Sequence, residues 1–134
     1  MLFAESPAHA PFLVAMHINL LKSKIHRACV TGASLDYEGS LSISSDIAET
    51  VGLLAYEKIL VSNLQKGERF ETYAIPAEKG SGVICLNGAA ARLGMAGDKI
   101  IIVSTSFVDE SEAPSFNPKV VFVNDNNEPV KKKK

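Results

Sequence analysis

Ser40 follows a glycine in the run Tyr37-Glu38-Gly39-Ser40, and this pairing can do chemistry on its own backbone. Glycine has no Cβ, so the chain at Gly39 can take strained or left-handed conformations closed to other residues. That freedom would let the Ser40 hydroxyl swing back onto the Gly39 carbonyl carbon. Attack there turns the amide into an ester, and elimination leaves a carbonyl at a new N-terminus. A carbonyl held inside a protein is an electron sink, which amine and amino-acid chemistry needs and ordinary side chains lack. Most Gly-Ser pairs are plain turns, so the reading depends on the residues that accompany this one.

A substrate with one amine and two carboxylates needs a carbonyl, cations and a proton donor, and the chain offers each. Converted Ser40 would be the carbonyl, reacting covalently without an external cofactor. Lys24 and Arg69 are candidate carboxylate clamps, lysine as a point charge and arginine through paired hydrogen bonds. Tyr73 is the candidate proton donor, and the Thr72 hydroxyl beside it could hold the Gly39 carbonyl during self-cleavage. Asn87-Gly88-Ala89-Ala90 is a turn into a helix start, where small side chains would let a substrate approach backbone N–H groups. His26 could orient a carboxylate or tune a proton. No metal site is expected, because His26 has no partners at ligand spacing.

These residues must be held by short elements. Ile18 to Thr31 reads as extended, with Lys22, Lys24 and His26 on one face and Ile25, Arg27 and Cys29 on the other. Strands are expected over Leu41–Ile43, Glu57–Asn63, Arg69–Ile75, Val83–Leu86, Lys99–Val108 and Val120–Val123. Ser45 or Asp46 caps a short helix ending near Gly52. Gln65-Lys66-Gly67 makes a hairpin, and a brief Ala-rich helix follows Asn87-Gly88. Alternation along the Arg69 strand puts Arg69, Glu71 and Tyr73 on one face and Thr72 on the other. A regular strand cannot aim all of these at one point, so either it bulges or the site lies between subunits. The run from Val51 to Ser62 echoes the run from Leu93 to Ser104, as two similar halves of one sheet would. Many short strands with stubs of helix favour a mainly β closed barrel, since closure removes exposed edges.

The chain has 134 residues, 46% of them hydrophobic, and a net charge of -1. That is one domain able to bury a single core, without the basic footprint of a nucleic-acid binder. The terminal lysines read as a solvated tail. Cys29 and Cys85 are the two cysteines, each in an apolar setting, and are expected to be buried. Residues 1–15 carry Pro7 and Pro11 and no basic leader, so they read as an extension, disordered or preceding a start at Met16. No apolar run approaches the ~20 residues that cross a bilayer. A cytoplasmic protein with neither membrane nor nucleic acid as partner is expected, its barrel domain spanning 16–125 and its tail 126–134.

Ser23-Lys-Ile-His-Arg-Ala28, Tyr37-Glu-Gly-Ser40, Gly67-Glu-Arg-Phe-Glu-Thr-Tyr-Ala74 and Asn87-Gly-Ala-Ala-Ala-Arg92, in this order and spacing, resemble the pyruvoyl-dependent aspartate 1-decarboxylases. The resemblance runs from about Met16 to Val123. It implies a double-psi β barrel assembled as a homotetramer with intersubunit active sites. It implies decarboxylation of L-aspartate to β-alanine for pantothenate and coenzyme A synthesis. It also implies autocatalytic cleavage at Gly39–Ser40, giving a pyruvoyl group from Ser40 that forms a Schiff base with substrate. By the same resemblance Tyr73 donates the proton, Thr72 contacts substrate and assists processing, Gly88, Ala89 and Ala90 line the pocket, and Lys24 and Arg69 contact carboxylates. His26, Tyr37 and Asn87 are supporting residues. The chain departs from some family members at Ser62, small where they carry a large aromatic. The alternatives are a non-catalytic barrel that binds a ligand or protein, or the same chemistry on a related acid such as glutamate.

Overall fold

The computed structural model describes residues 15–132, so the N-terminal extension expected from the sequence lies, but for Ala15, outside the described residues. The elements run β1 (His17–Cys29), β2 (Gly32–Ser34), β3 (Leu41–Ser44), α1 (Ser45–Thr50), β4 (Lys58–Asn63), β5 (Arg69–Ala77), β6 (Ile84–Asn87), β7 (Lys99–Asp109), β8 (Lys119–Val123) and β9 (Pro129–Val130). Among the described residues two 3-10 turns, Gly88–Arg92 and Ala113–Ser115, accompany the strands of a mainly β protein. Alternation explains β4 and β7. Ile59, Val61 and Asn63 of β4, and Ile100, Ile102 and Ser104 of β7, point inward and are buried, with more exposed residues between them. Each fully buried isoleucine contributes roughly 1.5–3 kcal/mol.

The strands form one sheet in the order β2-β6-β3-β5-β4-β7-β1-β8-β9. Its pairings read the same outward from the β4–β7 seam. β4–β5 and β7–β1 are antiparallel, β5–β3 and β1–β8 parallel, β3–β6 and β8–β9 antiparallel. At the seam Leu60 pairs with Val103 and Val61 with Ile102. In the echoed sequence Leu60 corresponds to Ile102 and Val61 to Val103, so each pairs with the other's counterpart. A local twofold axis requires this exchange, which accounts for the echo.

The far ends of the sheet are tied together. The Thr31 N–H donates to the Ile84 carbonyl at 2.8 Å. Asn127, between β8 and β9, donates to the carbonyls of Cys29 and Gly82, each at 2.8 Å. Helix α1 packs on β3, β5 and β8, bridging both halves. The sheet therefore curls around a single core that includes Ile25, Leu41, Ile43, Ile47, Ile59 and Ile100.

Several sequence expectations need correction. β1 is not a regular strand: its register against β7 shifts between Leu21 and Ser23 and between Ile25 and Ala28. Arg27 takes a φ of 65° and turns out to the surface, away from the buried face of Ile25. An extra residue opposite the partner strand breaks the two-residue period at each shift. Lys22, at the first shift, donates to the Gly52 carbonyl at 2.9 Å and pairs with Glu57 at 2.7 Å. Burial opposes the charged Glu57 carboxylate, but hydrogen bonds from Lys22 and the Leu54 N–H outweigh it and hold the group below its ordinary pKa. Both cysteines are half-buried rather than buried. Residues read as a tail carry β9 and the buried Asn127.

Candidate functional site

Ser40 immediately precedes β3. Its carbonyl accepts the Asn87 N–H at 3.0 Å, extending the β3–β6 ladder one pair beyond Leu41↔Leu86. Ser40 and Asn87 thus stand opposite each other, with Ser42 diagonal on the same face. Asn87 Nδ2 donates to Ser40 Oγ at 3.1 Å and to Ser42 Oγ at 2.9 Å. Ser40 is 1% exposed and Asn87 3%, so water competes little for these bonds.

The backbone here is strained. Gly39 has φ +116° and Ser40 φ +91°. A non-glycine residue in this region costs on the order of 1–3 kcal/mol and persists only when its surroundings fix it. Gly88 supplies part of that surround. A Cβ on Gly88 would sit 2.7 Å from both Gly39 N and the Tyr37 carbonyl oxygen, so only glycine lets the Gly88–Arg92 turn lie against this segment. That segment is a five-residue 3-10 turn, so its contribution is close backbone approach rather than the helix dipole expected from sequence.

Gly39 and Ser40 open onto a cavity of about 190 Å³, also lined by Phe70, Thr72, Tyr73, Asn87, Ala89 and Ala90. Thr72 and Tyr73 reach it together without a bulge, for β5 keeps one register against β4 from Arg69 to Tyr73. The reason is a change of partner. β5 pairs with β4 through Tyr73 and with β3 from Ala74 onward. Thr72 and Tyr73 therefore flank the place where the chain enters β3 from Ser40. An ideal Cβ on Gly39 would lie 3.9 Å from the Tyr73 hydroxyl. Tyr56 stands beside Tyr73, ring centroids 6.4 Å apart.

The other expected residues are elsewhere in the subunit. Arg69 is four residues from Tyr73, roughly 13 Å along the strand, and pairs across the sheet with Ser62. Lys24, Val103, Leu60 and Glu71 form one row across β1, β7, β4 and β5. Glu71 of this row lines the cavity with Tyr73, but Lys24 and Arg69, farther along the same outward face, do not. The Tyr37 carbonyl abuts Gly88 while its ring is exposed. His26 lines a separate cavity of about 720 Å³ with Arg27, Phe122 and Lys132. Its ring stands edge-on to Phe122 at 5.1 Å, and Nδ1 is buried with no hydrogen-bond partner among the described residues. Burial, then the charges of Lys24, Arg27 and Lys132, push its pKa below the ordinary 6.5. Among the described residues no cluster of His, Cys, Asp and Glu could hold a metal, and no helix is long and apolar enough to cross a membrane.

Ser42, Phe70, Tyr56 and Leu93 are site residues that sequence reasoning missed. Ser42 and Phe70 had a readable signal, since a residue two from Ser40 or from Thr72 in a strand shares its face.

The match to known proteins covers nearly all of this structure. The aspartate decarboxylase family model matches residues 16–130. The aspartate 1-decarboxylase of Leptospira biflexa is 55% identical over 117 residues, 87% of this chain and 99% of that protein. Those of Campylobacter jejuni and Thermoanaerobacter pseudethanolicus are 56% identical over 116 residues and 53% over 111, covering 87% and 83% of this chain and 91% and 95% of theirs. At that identity over that length, with Gly39, Ser40, Tyr73 and Asn87 converging on one cavity, the chain belongs to the aspartate decarboxylase family.

Proposed function

We propose that this chain cuts itself between Gly39 and Ser40 and then converts L-aspartate to β-alanine and CO2, feeding pantothenate and coenzyme A synthesis. The observation that carries the reading is a buried serine at φ +91° directly after a glycine at φ +116°, its hydroxyl held by Asn87. Strain on the peptide joining them favours a reaction that breaks it.

In the cleavage, Ser40 Oγ attacks the Gly39 carbonyl carbon and the C–N bond breaks, leaving an ester and a free amine at Ser40. Loss of the Ser40 Cα proton then breaks the Cβ–Oγ bond. Oγ departs within the Gly39 carboxylate and position 40 becomes dehydroalanine. Addition of water and release of ammonia leave a pyruvoyl group. The site fits such a group: Ala89 and Ala90 leave room in front of position 40, and Gly88 lets the turn close over Gly39. Once formed, the group would supply an electron sink for the pair released when CO2 departs.

The chain's own residues do the rest. Thr72 lines the cavity beside the Gly39 carbonyl segment and assists processing. Tyr73, whose hydroxyl lies beside Gly39, delivers a proton to the substrate carbon in this reading. Ala89 and Ala90 set the small volume that suits a short amino acid. Lys24 and Arg69 lie outside their own subunit's cavity, which supports an assembly, a homotetramer with double-psi barrel subunits, in which one copy's outward face supplies cations to its neighbour's site. The parallel pairings β3–β5 and β1–β8 support the double-psi arrangement.

Intact mass under denaturing conditions tests the reading. Two fragments meeting at 39/40, the longer one reactive with hydroxylamine as a ketone, are expected, along with β-alanine from aspartate. A chain that stays whole after prolonged warming and yields no β-alanine would overturn it.

A further inference from the structure

Asn87 is tethered on both sides. Its side-chain amide has two N–H groups, and both are used: one on Ser40 Oγ at 3.1 Å, the other on Ser42 Oγ at 2.9 Å. Ser42 is fixed in β3 by its pairing with Cys85 on one side and Ile75 on the other. We infer that Ser42 is a positioning residue for self-cleavage, holding the Asn87 amide so that its second N–H stays on Ser40 Oγ. The inference rests on the proposed cleavage at Gly39–Ser40.

The chemistry assigns the tether to one step. During attack Oγ is the nucleophile, and a donor on its lone pair helps little beyond orientation. During elimination Oγ is the departing atom: the Ser40 Cα proton is removed, the Cβ–Oγ bond breaks, and its electron pair leaves on the Gly39 carboxylate. A donor on Oγ then meets growing negative charge in a buried, low-dielectric setting, where such a bond counts most. The Asn87 amide is freer to rotate without Ser42, and the donor then spends less time on Oγ. Ester formation continues while its breakdown slows.

Freshly purified precursor of wild type, Ser42→Ala, Ser42→Thr and Ser42→Cys would be warmed, sampled over time, and treated with neutral hydroxylamine before intact mass measurement. Hydroxylamine splits a waiting ester into a fragment ending in a Gly39 hydroxamate and one beginning with unmodified serine. Finished protein instead gives an oxime on the longer fragment. For Ser42→Ala we expect the ester products to accumulate and the oxime to appear about tenfold more slowly. Removing such a donor outright costs ~10²–10³, and this change only loosens it. Ser42→Thr restores the hydroxyl and the wild-type time course. Ser42→Cys keeps the volume with a poor acceptor and accumulates ester, which decides the matter should the alanine variant not fold. Maturation of Ser42→Ala and Ser42→Cys at the wild-type rate overturns the inference and leaves self-cleavage standing. Accumulation of uncut, hydroxylamine-resistant chain overturns the assignment to elimination. Wild type that never cuts overturns the proposed function and this inference with it.

Discussion

The two cavities flank the same seam and differ in kind. One lies beside Thr72 and Tyr73 of β5, the other beside His26 and Arg27 of β1, and β5 and β1 are the strands on either side of the β4–β7 pair. Each strand has a parallel partner beyond it, β3 or β8. Near Ser40 the entering chain is strained, buried and hydrogen-bonded, and the hollow is small, about 190 Å³. Near His26 the backbone anomaly is Arg27, whose side chain is exposed, and the hollow is wide, about 720 Å³, with cations along it. A scaffold of two similar halves thus offers two similar places, and the proposed reactivity belongs to the one where strain coincides with a buried hydroxyl. A positive φ at an exposed arginine has no bond-making partner.

The comparison breaks most sharply at Ser40. Ser40→Ala should abolish both cleavage and aspartate turnover, because no hydroxyl remains to attack; a cut chain by intact mass would refute the scheme. Tyr73→Phe comes next. It should still cut, yet turn over about 10²–10⁴-fold more slowly, the range that a positioned general acid supplies. Normal β-alanine production by that variant would move the proton donor elsewhere.

Smaller effects separate binding from processing. Lys24→Ala should mature normally and raise KM for aspartate about tenfold, equivalent to ~1.4 kcal/mol, if the outward face serves a neighbouring subunit. Loss of cutting in this variant, followed by gel electrophoresis, would place Lys24 inside the processing machinery. His26→Gln should change least at neutral pH. His26 has a folded-state pKa below 6.5, so the unfolded chain binds its proton first. Its contribution to stability is therefore present above pH 6.5 and is lost as pH falls through the folded value. Melting temperature against pH should decline on acidification in wild type and more shallowly in His26→Gln. Equal slopes would remove His26 from the account.

Some of this was legible beforehand because it depends on local patterning. The β-forming residues of Glu57–Asn63 and Lys99–Val108 announced strands, and the echo between Val51–Ser62 and Leu93–Ser104 announced two similar halves of one sheet. The shifts in β1 were not legible, since a bulge is decided by what the neighbouring strand offers. Lys22 leaves the ladder where Gly52 and Glu57 can receive it. Nor was the tie at Asn127 legible in a segment that reads as polar tail, because its partners at Cys29 and Gly82 are remote in sequence.

By itself the sequence determined which groups were available: a glycine able to take φ +116°, a hydroxyl after it, a tyrosine, an amide and small residues in a turn. Tertiary structure decided which of them meet. β5 exchanges β4 for β3 beside the residue that enters β3, so Thr72, Tyr73 and Ser40 share a hollow that alternation along one strand would forbid. Lys24 and Arg69, equally suitable by chemistry, stay out of that hollow because Arg69, though on the face of Tyr73, lies roughly 13 Å along the strand, and Lys24 stands on β1, three strands away.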